Sequence, residues 1–394
     1  MFLIRPTPYD DESLESFFIR LANQNGYDDV HRFLMATKRF LEDIDQLSFK
    51  TFPTDITRIN PYSSQNNSTS RTKSFLKMSQ MTFNEPVDLL KLAINRTSLK
   101  FSPSTSALVR KSEVFPRSLM RCGAIPFCPY CLKENGFASY RWHFKGYDCC
   151  HQHNVALVTH CNCGAEYDYR KSGLKGWCTE CEYFIDNIEE ENSFSAKLQT
   201  SKWLSGDFNE SLPDAPISHR WGLIHWWENT SDHDFEASTF IEFFSKWPMS
   251  FHSMIEQELA FNLEHSVTHT KNLKVKDLLG KLFFNAIHLP DRNLQYNLVL
   301  CELLNYLEHH LWDKDGLLAN LRLNAFESAI FLNCSLDDIA SMVEQGILKP
   351  NRRLKSTQVI TYNNYFFQLS DIYSLWLAEF QTPEFNRSFY ISRW

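Results

Sequence analysis

Apolar residues near the start of the chain recur with a helical period: Leu14, Phe17, Phe18 and Leu21 fall at i, i+3, i+4 and i+7. Asp10, Asp11 and Ser13 precede them as residues able to cap a helix, and Asn25-Gly26 follows as a stop, so the pattern predicts one amphipathic helix with both ends marked. Asp28 and Asp29 can start a second helix carrying Val30, Phe33 and Leu34, and residues 1–60 read as a compact set of short helices. Residues 61–70 are polar and turn-rich and predict a loop or linker. Helical patterns return over residues 190–320, as in Phe240-Ile241-Glu242-Phe243-Phe244 and from Leu298 to Leu304, with no fixed repeat period. No stretch reaches the ~18 apolar residues of a membrane-spanning helix.

Composition narrows the class. Only 12 glycines, against 43% hydrophobic residues and 32 phenylalanines, disfavour a glycine-turn-rich all-β or collagen-like chain and fit a mainly α protein with aromatic cores. The 394 residues are enough for two or three cores. A net charge of −7 argues against coating nucleic acid or an anionic membrane by bulk electrostatics, so any nucleic-acid contact is local or borrowed. The charge shifts along the chain, and residues 1–120 are the only mildly basic third. The first residues lack the apolar core and cleavage site of an export signal, and a reducing cytoplasm is the expected location. The run Glu189-Glu190-Glu191 is too short for an acidic tail and reads as a solvated loop or helix start.

The cysteines carry the most specific signal, because nine of eleven fall between Cys122 and Cys181. Cys128-Pro-Tyr-Cys131 is followed by Cys150-His-Gln-His153, then Cys161-Asn-Cys163 and Cys178-Thr-Glu-Cys181. A two-residue gap lets both ends of a tight knuckle reach one ion, and thiolate with imidazole suits zinc at ~2.3 Å from sulfur. Cys128, Cys131, Cys150 and His153 are assigned to a first site, and Cys161, Cys163, Cys178 and Cys181 to a second, giving two structural zinc ions per chain. Cys122, Cys149, His151 and His160 lie close enough in sequence to compete for the first site; the two-residue gap favours Cys150 with His153 and leaves Cys149 as a small buried residue. Four protein ligands per ion leave no position for water or substrate, which argues against a zinc hydrolase. A redox Cys-x-x-Cys would sit in a βαβ pattern, and none is found.

Residues 324–350 form the second informative stretch. Ala329 lets two helices approach, Asn333 suits a left-handed turn, Ser335 with Asp338 makes an acidic capping box, Ile339 and Met342 face inward and Gly346 ends the second helix. Beyond it, residues 358–368 alternate around Asn363-Asn364 like a short hairpin before the helical stretch from Asp371, so the whole predicts a winged helix-turn-helix. Its second helix, Ser335 to Gln345, holds Asp337, Asp338 and Glu344 and no Lys or Arg, which disfavours reading the major groove. The nearby cations Lys349, Arg352, Arg353 and Lys355 offer phosphate contact by the wing, so protein docking and DNA contact both stay open; Arg352, Arg353 and Lys355 are the candidate nucleic-acid contacts.

Scattered histidines, with neither a Gly-rich phosphate loop nor an H-E-x-x-H helix, indicate no catalytic residues and no cofactor beyond zinc. Trp221, Trp226, Trp227 and Trp247 are candidate interface anchors, although most aromatics are expected in cores. The expected segments are an N-terminal helical, helix-turn-helix-like region (1–110), a tandem zinc-knuckle segment (120–185), a helical domain (190–320) and the C-terminal winged helix-turn-helix (322–394).

Taken in order, Pro6-Thr-Pro8, the run Asp11-Glu12-Ser13-Leu14-Glu15-Ser16-Phe17-Phe18-Ile19-Arg20-Leu21-Ala22, Asn25-Gly26, Phe127-Cys128-Pro129-Tyr130-Cys131, Trp142, Cys150-x-x-His153 with Leu157, and Cys161-x-Cys163 resemble TniQ-domain proteins over roughly residues 5–185. Such proteins serve bacterial transposons that move with an AAA+ ATPase and a separate transposase, and they select or mark the insertion target. This short, acidic chain is most similar to the TniQ of CRISPR-associated transposons of the type I-F Cascade-linked kind. That resemblance implies a non-enzymatic adaptor, commonly a homodimer, which joins a Cascade complex carrying guide RNA and recruits the ATPase, leaving sequence recognition to guide pairing and DNA contact indirect. Longer relatives bind an attachment site through added C-terminal modules, so a direct sequence-specific DNA-binding protein is the alternative.

Overall fold

A computed structural model describes residues 2–64, 68–82, 85, 87–102, 104–185, 194–231, 235–269, 272–287, 289–311, 316–351 and 364–381. Ser13 opens α1 (Leu14–Gln24) by accepting a hydrogen bond from the Ser16 N–H at 3.1 Å, and Gly26 leaves the helix with φ +79°. Asp29 caps α2 (Val30–Ile44) in the same way through the His31 N–H. The first helix starts and stops where its caps predict, and the second starts where Asp29 predicts. They are followed by the short α3 (Gln46–Phe49), α4 (Ser68–Thr82) and α5 (Asp88–Leu92).

The loop expected over residues 61–70 is only partly a loop. Pro61–Ser63 forms a 3-10 turn and α4 already begins at Ser68. Its buried Arg71 donates to the Asn60 carbonyl and to Ser63 Oγ, both at 3.1 Å, tying the polar stretch to the helix. Next comes an antiparallel sheet in the order β1 (Asn95–Lys100), β2 (Ser106–Arg110), β3 (Glu113–Pro116), which helical periodicity did not predict. The molecule remains mainly helical, as composition implied.

The chain divides into two units, residues 1–245 and 246–394. The first contains the elements above, then α6 (Pro129–Asn135), the two-residue strands β4 (Cys149–Cys150) and β5 (Val155–Ala156), α7 (Tyr169–Ser172), α8 (Phe194–Leu204), α9 (Ile217–Thr230) and α10 (Ala237–Ser245). Its aromatic core stacks Phe115 on Phe144 at 4.4 Å and sets Trp221 of α9 against both. Trp226 and Trp227 pack on Phe243 of α10. Trp221, Trp226 and Trp227 are therefore core residues and not interface anchors: Phe115 of β3 and Phe144 cover Trp221, and the phenylalanines of α10 cover Trp226 and Trp227.

The second unit packs α11 (Met249–His265) on α12 (Val275–Ala286) and α12 on α13 (Leu298–His310). Trp247, half-buried at its start, stacks on Phe251 at 5.1 Å. A strand β6 (Arg322–Asn324) leads into α14 (Ala325–Phe331) and α15 (Leu336–Glu344), and β7 (Tyr365–Gln368) precedes α16 (Leu369–Gln381). Asn333 makes the left-handed turn between α14 and α15 with φ +50°, Ser335 and Asp338 form the capping box, and Gly346 ends α15 with φ +73°. At the start of α14 the buried Glu327 closes a second capping box, its Oε2 accepting from the Asn324 N–H at 2.9 Å while Oε1 lies buried. Of the hairpin expected over 358–368 only the second half is described: it forms β7, which pairs antiparallel with β6, Leu323 opposite Phe367, so the strand before the helix pair joins it. The remainder of that stretch, Arg352, Arg353 and Lys355 included, lies outside the described residues, as does Glu189-Glu190-Glu191.

Candidate metal centres

The first cluster is built by a helix start and a hairpin. Cys128 is the N-cap of α6, Pro129 fits its first turn, and Cys131 follows within that turn, so both sulfurs face one side. Cys150 ends β4, and the turn to β5, with Asn154 at φ +54°, carries His153 back toward them. Cys131 Sγ lies 3.4 Å from Cys150 Sγ, and His153 Nδ1 lies 3.5, 3.2 and 3.5 Å from the sulfurs of Cys128, Cys131 and Cys150.

The second cluster joins two tight turns. Cys161 and Cys163 flank a turn in which the Gly164 N–H donates to the Cys161 carbonyl at 2.8 Å. Cys178 and Cys181 sit in a hairpin whose ends meet through the Cys178 N–H and the Tyr183 carbonyl at 2.9 Å. The sulfurs of Cys161 and Cys181 lie 3.5 Å apart, those of Cys163 and Cys178 3.6 Å.

The donors of each cluster lie within 4.8 Å of one another. Sulfurs bound tetrahedrally to one zinc at ~2.3 Å stand ~3.8 Å apart, near the spacings found here, whereas a disulfide requires ~2.05 Å. Thiols this close also disturb one another: Cys150 is pulled down by hydrogen bonds from Cys128 and Cys131, while Cys131 is pushed up by its contacts with Cys128 and Cys150. Cys178 is pulled down to about 7, chiefly by the N–H groups of Cys181 and Glu180. A cation at the centre would replace this mutual opposition with attraction to every thiolate. Donor chemistry and spacing thus fit one metal ion in each cluster.

The sequence competitors lie elsewhere. Cys122 is exposed, Cys149 is buried, His151 Nδ1 is 2.7 Å from the Tyr147 hydroxyl, and His160 is paired with Thr159. Glu134, which the sequence reading passed over, belongs with the first cluster. Its Oε2 stands 2.8 Å from His153 Nε2, so with Nδ1 turned to the sulfurs the ring has one nitrogen for a metal and one N–H for a carboxylate. Glu134 follows Cys131 by three residues, about one helical turn, and that spacing was the signal available.

The cysteine-rich segment is stitched to the start of the chain. Ser13 N–H donates to the Ala138 carbonyl at 2.9 Å, Tyr140 N–H to the Asp11 carbonyl at 3.0 Å, and Ala138 N–H to Ser16 Oγ at 2.9 Å. Arg141 pairs with Asp11, and Arg110 donates to the carbonyls of Asp10 and Glu12. Beneath these contacts Ser13 Oγ meets the Tyr169 hydroxyl at 2.9 Å, which meets His143 Nε2 at 2.6 Å, with Glu15 held by Asn60 beside them. Those residue types could suggest nucleophilic chemistry. Ser13, Glu15, His143 and Tyr169 are at most 1% exposed, however, and Ser13 Oγ already caps α1, so they act as a buried clasp. Burial lowers His143 to about 3 and raises Glu15, keeping the histidine neutral.

Among the described residues no helix is long and apolar enough to cross a membrane. Residues 3–157 match the family model TniQ, which spans the stitched amino-terminal motifs and the whole first cluster. No curated protein matches the chain.

Proposed function

Because residues 3–157 form a TniQ-family domain, we propose that this chain is a transposon target-selection adaptor, joining a guide-RNA-bound Cascade complex and bringing the transposition AAA+ ATPase and transposase to the DNA that complex has found. The family is one of non-catalytic targeting proteins in DNA transposition. The observation carrying the reading is that domain, in which the motif around residues 10–16 and the Cys128 to His153 cluster form one hydrogen-bonded body. In this reading Cys128, Cys131, Cys150 and His153 hold one zinc ion, and Cys161, Cys163, Cys178 and Cys181 a second. Bound zinc supplies folding free energy and loop rigidity. The protein residues do the rest: four donors enclose each ion, Glu134 orients His153, and the held loops present a fixed surface to partners. The protein works in the bacterial cytoplasm, as a homodimer, and touches target DNA at most indirectly.

Direct sequence-specific DNA binding is the second reading, favoured by Lys349 just beyond α15 and by Arg352, Arg353 and Lys355 after it in the chain. A pull-down of tagged protein with guide-loaded Cascade, beside a duplex-binding assay over a salt series, separates the two. Co-purification with negligible duplex binding supports the adaptor. Failure to co-purify, with tight and steeply salt-dependent duplex binding, transfers the function to direct site reading. Neutralising Arg352, Arg353 and Lys355 together then reports whether those cations serve it.

A further inference from the structure

The second helix of the helix-turn-helix faces outward where a DNA reader would place its recognition helix, and its charge is wrong for that task. Ile339 is buried and fastens α15 from below, while Asp338 is committed to the cap, accepting from the Ser335 N–H at 2.7 Å. On the other side Leu336, Asp337, Ala340 and Glu344 are exposed and Val343 is half-buried. At about 100° per residue these five fall within an arc of about 120°, with Leu336, Ala340 and Val343 forming an apolar row and Asp337 and Glu344 its acidic border. Ile347, just past the Gly346 turn, is 40% exposed and lengthens the row. The helix has no Lys or Arg, and neither Asp337 nor Glu344 forms an ion pair among the described residues. A duplex brought to this face would set phosphates against carboxylates and bury apolar side chains against a polar backbone.

We propose that the outer face of α15 docks a basic amphipathic segment of a partner protein, its apolar side chains covering Leu336, Ala340, Val343 and Ile347 and its Lys or Arg side chains meeting Asp337 and Glu344. Charge complementarity selects this occupant: an apolar row with acids along its exposed edge on the helix matches a helix whose apolar stripe has bases beside it, the pairing that gives orientation and rejects acidic competitors. The helix-turn-helix thereby serves as a protein-docking module. The inference goes beyond the adaptor reading and does not rest on it, since it concerns the chemistry of the partner and not the complex to which that partner belongs.

The test uses the full zinc-loaded chain and a labelled synthetic helix of about 20 residues with leucines on one face and arginines beside them. Fluorescence anisotropy should show saturable binding that Asp337→Lys with Glu344→Lys weakens about tenfold or more. The matched reversal of two exposed acids on α11, Glu256→Lys with Glu264→Lys, should leave it within about twofold. If the first pair fails to fold by circular dichroism, Asp337→Asn with Glu344→Gln replaces it and should weaken binding in the same direction. Equal losses for both pairs of reversals, or no binding by the unaltered chain, would overturn the proposal. So would duplex binding by the unaltered chain that Ala340→Glu abolishes, which assigns the face to DNA. Peptide binding that emerges only once Arg352, Arg353 and Lys355 are neutralised assigns it to the chain's own basic segment, and overturns the proposal equally.

Discussion

The two cysteine clusters use similar donors at similar spacings and are embedded differently. In the first, Cys128, Cys131 and Cys150 are buried, His153 is buttressed by Glu134, and the surrounding segment is bonded to the start of α1. In the second, Cys161 and Cys178 are buried but Cys163 is exposed and Cys181 half-buried, and the ligands sit on two turns bonded mostly within themselves. Ligand chemistry alone therefore does not set what a metal contributes; the depth to which its loops are tied into the core does. Loss of the first ion should unfasten a domain, and loss of the second should loosen a hairpin.

The largest effect that would sharpen this contrast is on stability. Cys150→Ser should cost on the order of 4 kcal/mol and leave little soluble protein, whereas Cys163→Ser should cost about 1–2 kcal/mol and lower the melting temperature by a few degrees. Similar losses for the two variants would break the comparison. Metal content should fall from about two ions per chain to about one in Cys163→Ser, read by elemental analysis.

A chelator should next reveal an order of release. With limiting chelator the ion held by Cys161, Cys163, Cys178 and Cys181 should leave at least about tenfold faster than the other, because the exposed Cys163 is open to attack whereas the three buried thiolates of the first cluster wait for local opening. Simultaneous release, followed by stopped-flow chelator absorbance, would contradict the difference in embedding.

Smaller still is the effect of Glu134→Gln. Loss of the carboxylate behind His153 should weaken metal binding at the first cluster by about tenfold, with the second unchanged. Competition with a metal-buffering dye measures both in one titration.

The smallest effect sets both clusters against the helix-turn-helix. Acid protonates cysteine ligands and frees their metal, so the clusters should weaken as pH falls. Glu327 gives the opposite sign: burial pushes its carboxyl up to about 7, against the Asn324 N–H that favours the charged form. Between the ordinary 4.5 and 7 the folded unit keeps a proton that the unfolded chain has released, so stability there is greatest at the acid end and is lost as pH rises. Going from about pH 7.5 to 5.5 should speed amide exchange in the cluster turns and, after correction for intrinsic rates, slow it in α14; Glu327→Gln should abolish only the second change.

What could be read from the sequence were local features. Ser13 and Asp29 sit where the caps of α1 and α2 belong, the turn at Asn333 needs only its own backbone, and Cys-x-x-Cys spacing brings ligands together over a single turn. The features not read ahead of the structure depend on partners distant in the chain. β7 is recognisable as a strand, yet its pairing with β6 joins residues some forty positions apart, which no local pattern announces. Trp221 shows an aromatic ring to a sequence reader, and only its stacking with Phe115 and Phe144 shows that the ring is unavailable to a partner. The clasp of Ser13, Tyr169 and His143 spans 156 residues between its first two members and has no local signature at all.

The pairing of β6 with β7 has a consequence for how such proteins diversify. Asn324 lies opposite Tyr365, so the chain enters and leaves the helix-turn-helix at a single seam. A segment whose two ends share one seam can be exchanged for another with the same inner packing while the connections on either side keep their path, much as a tool head is swapped on an unchanged handle. Recombination at that seam would exchange the helix pair in a single genetic event and leave the path of the flanking chain as it was.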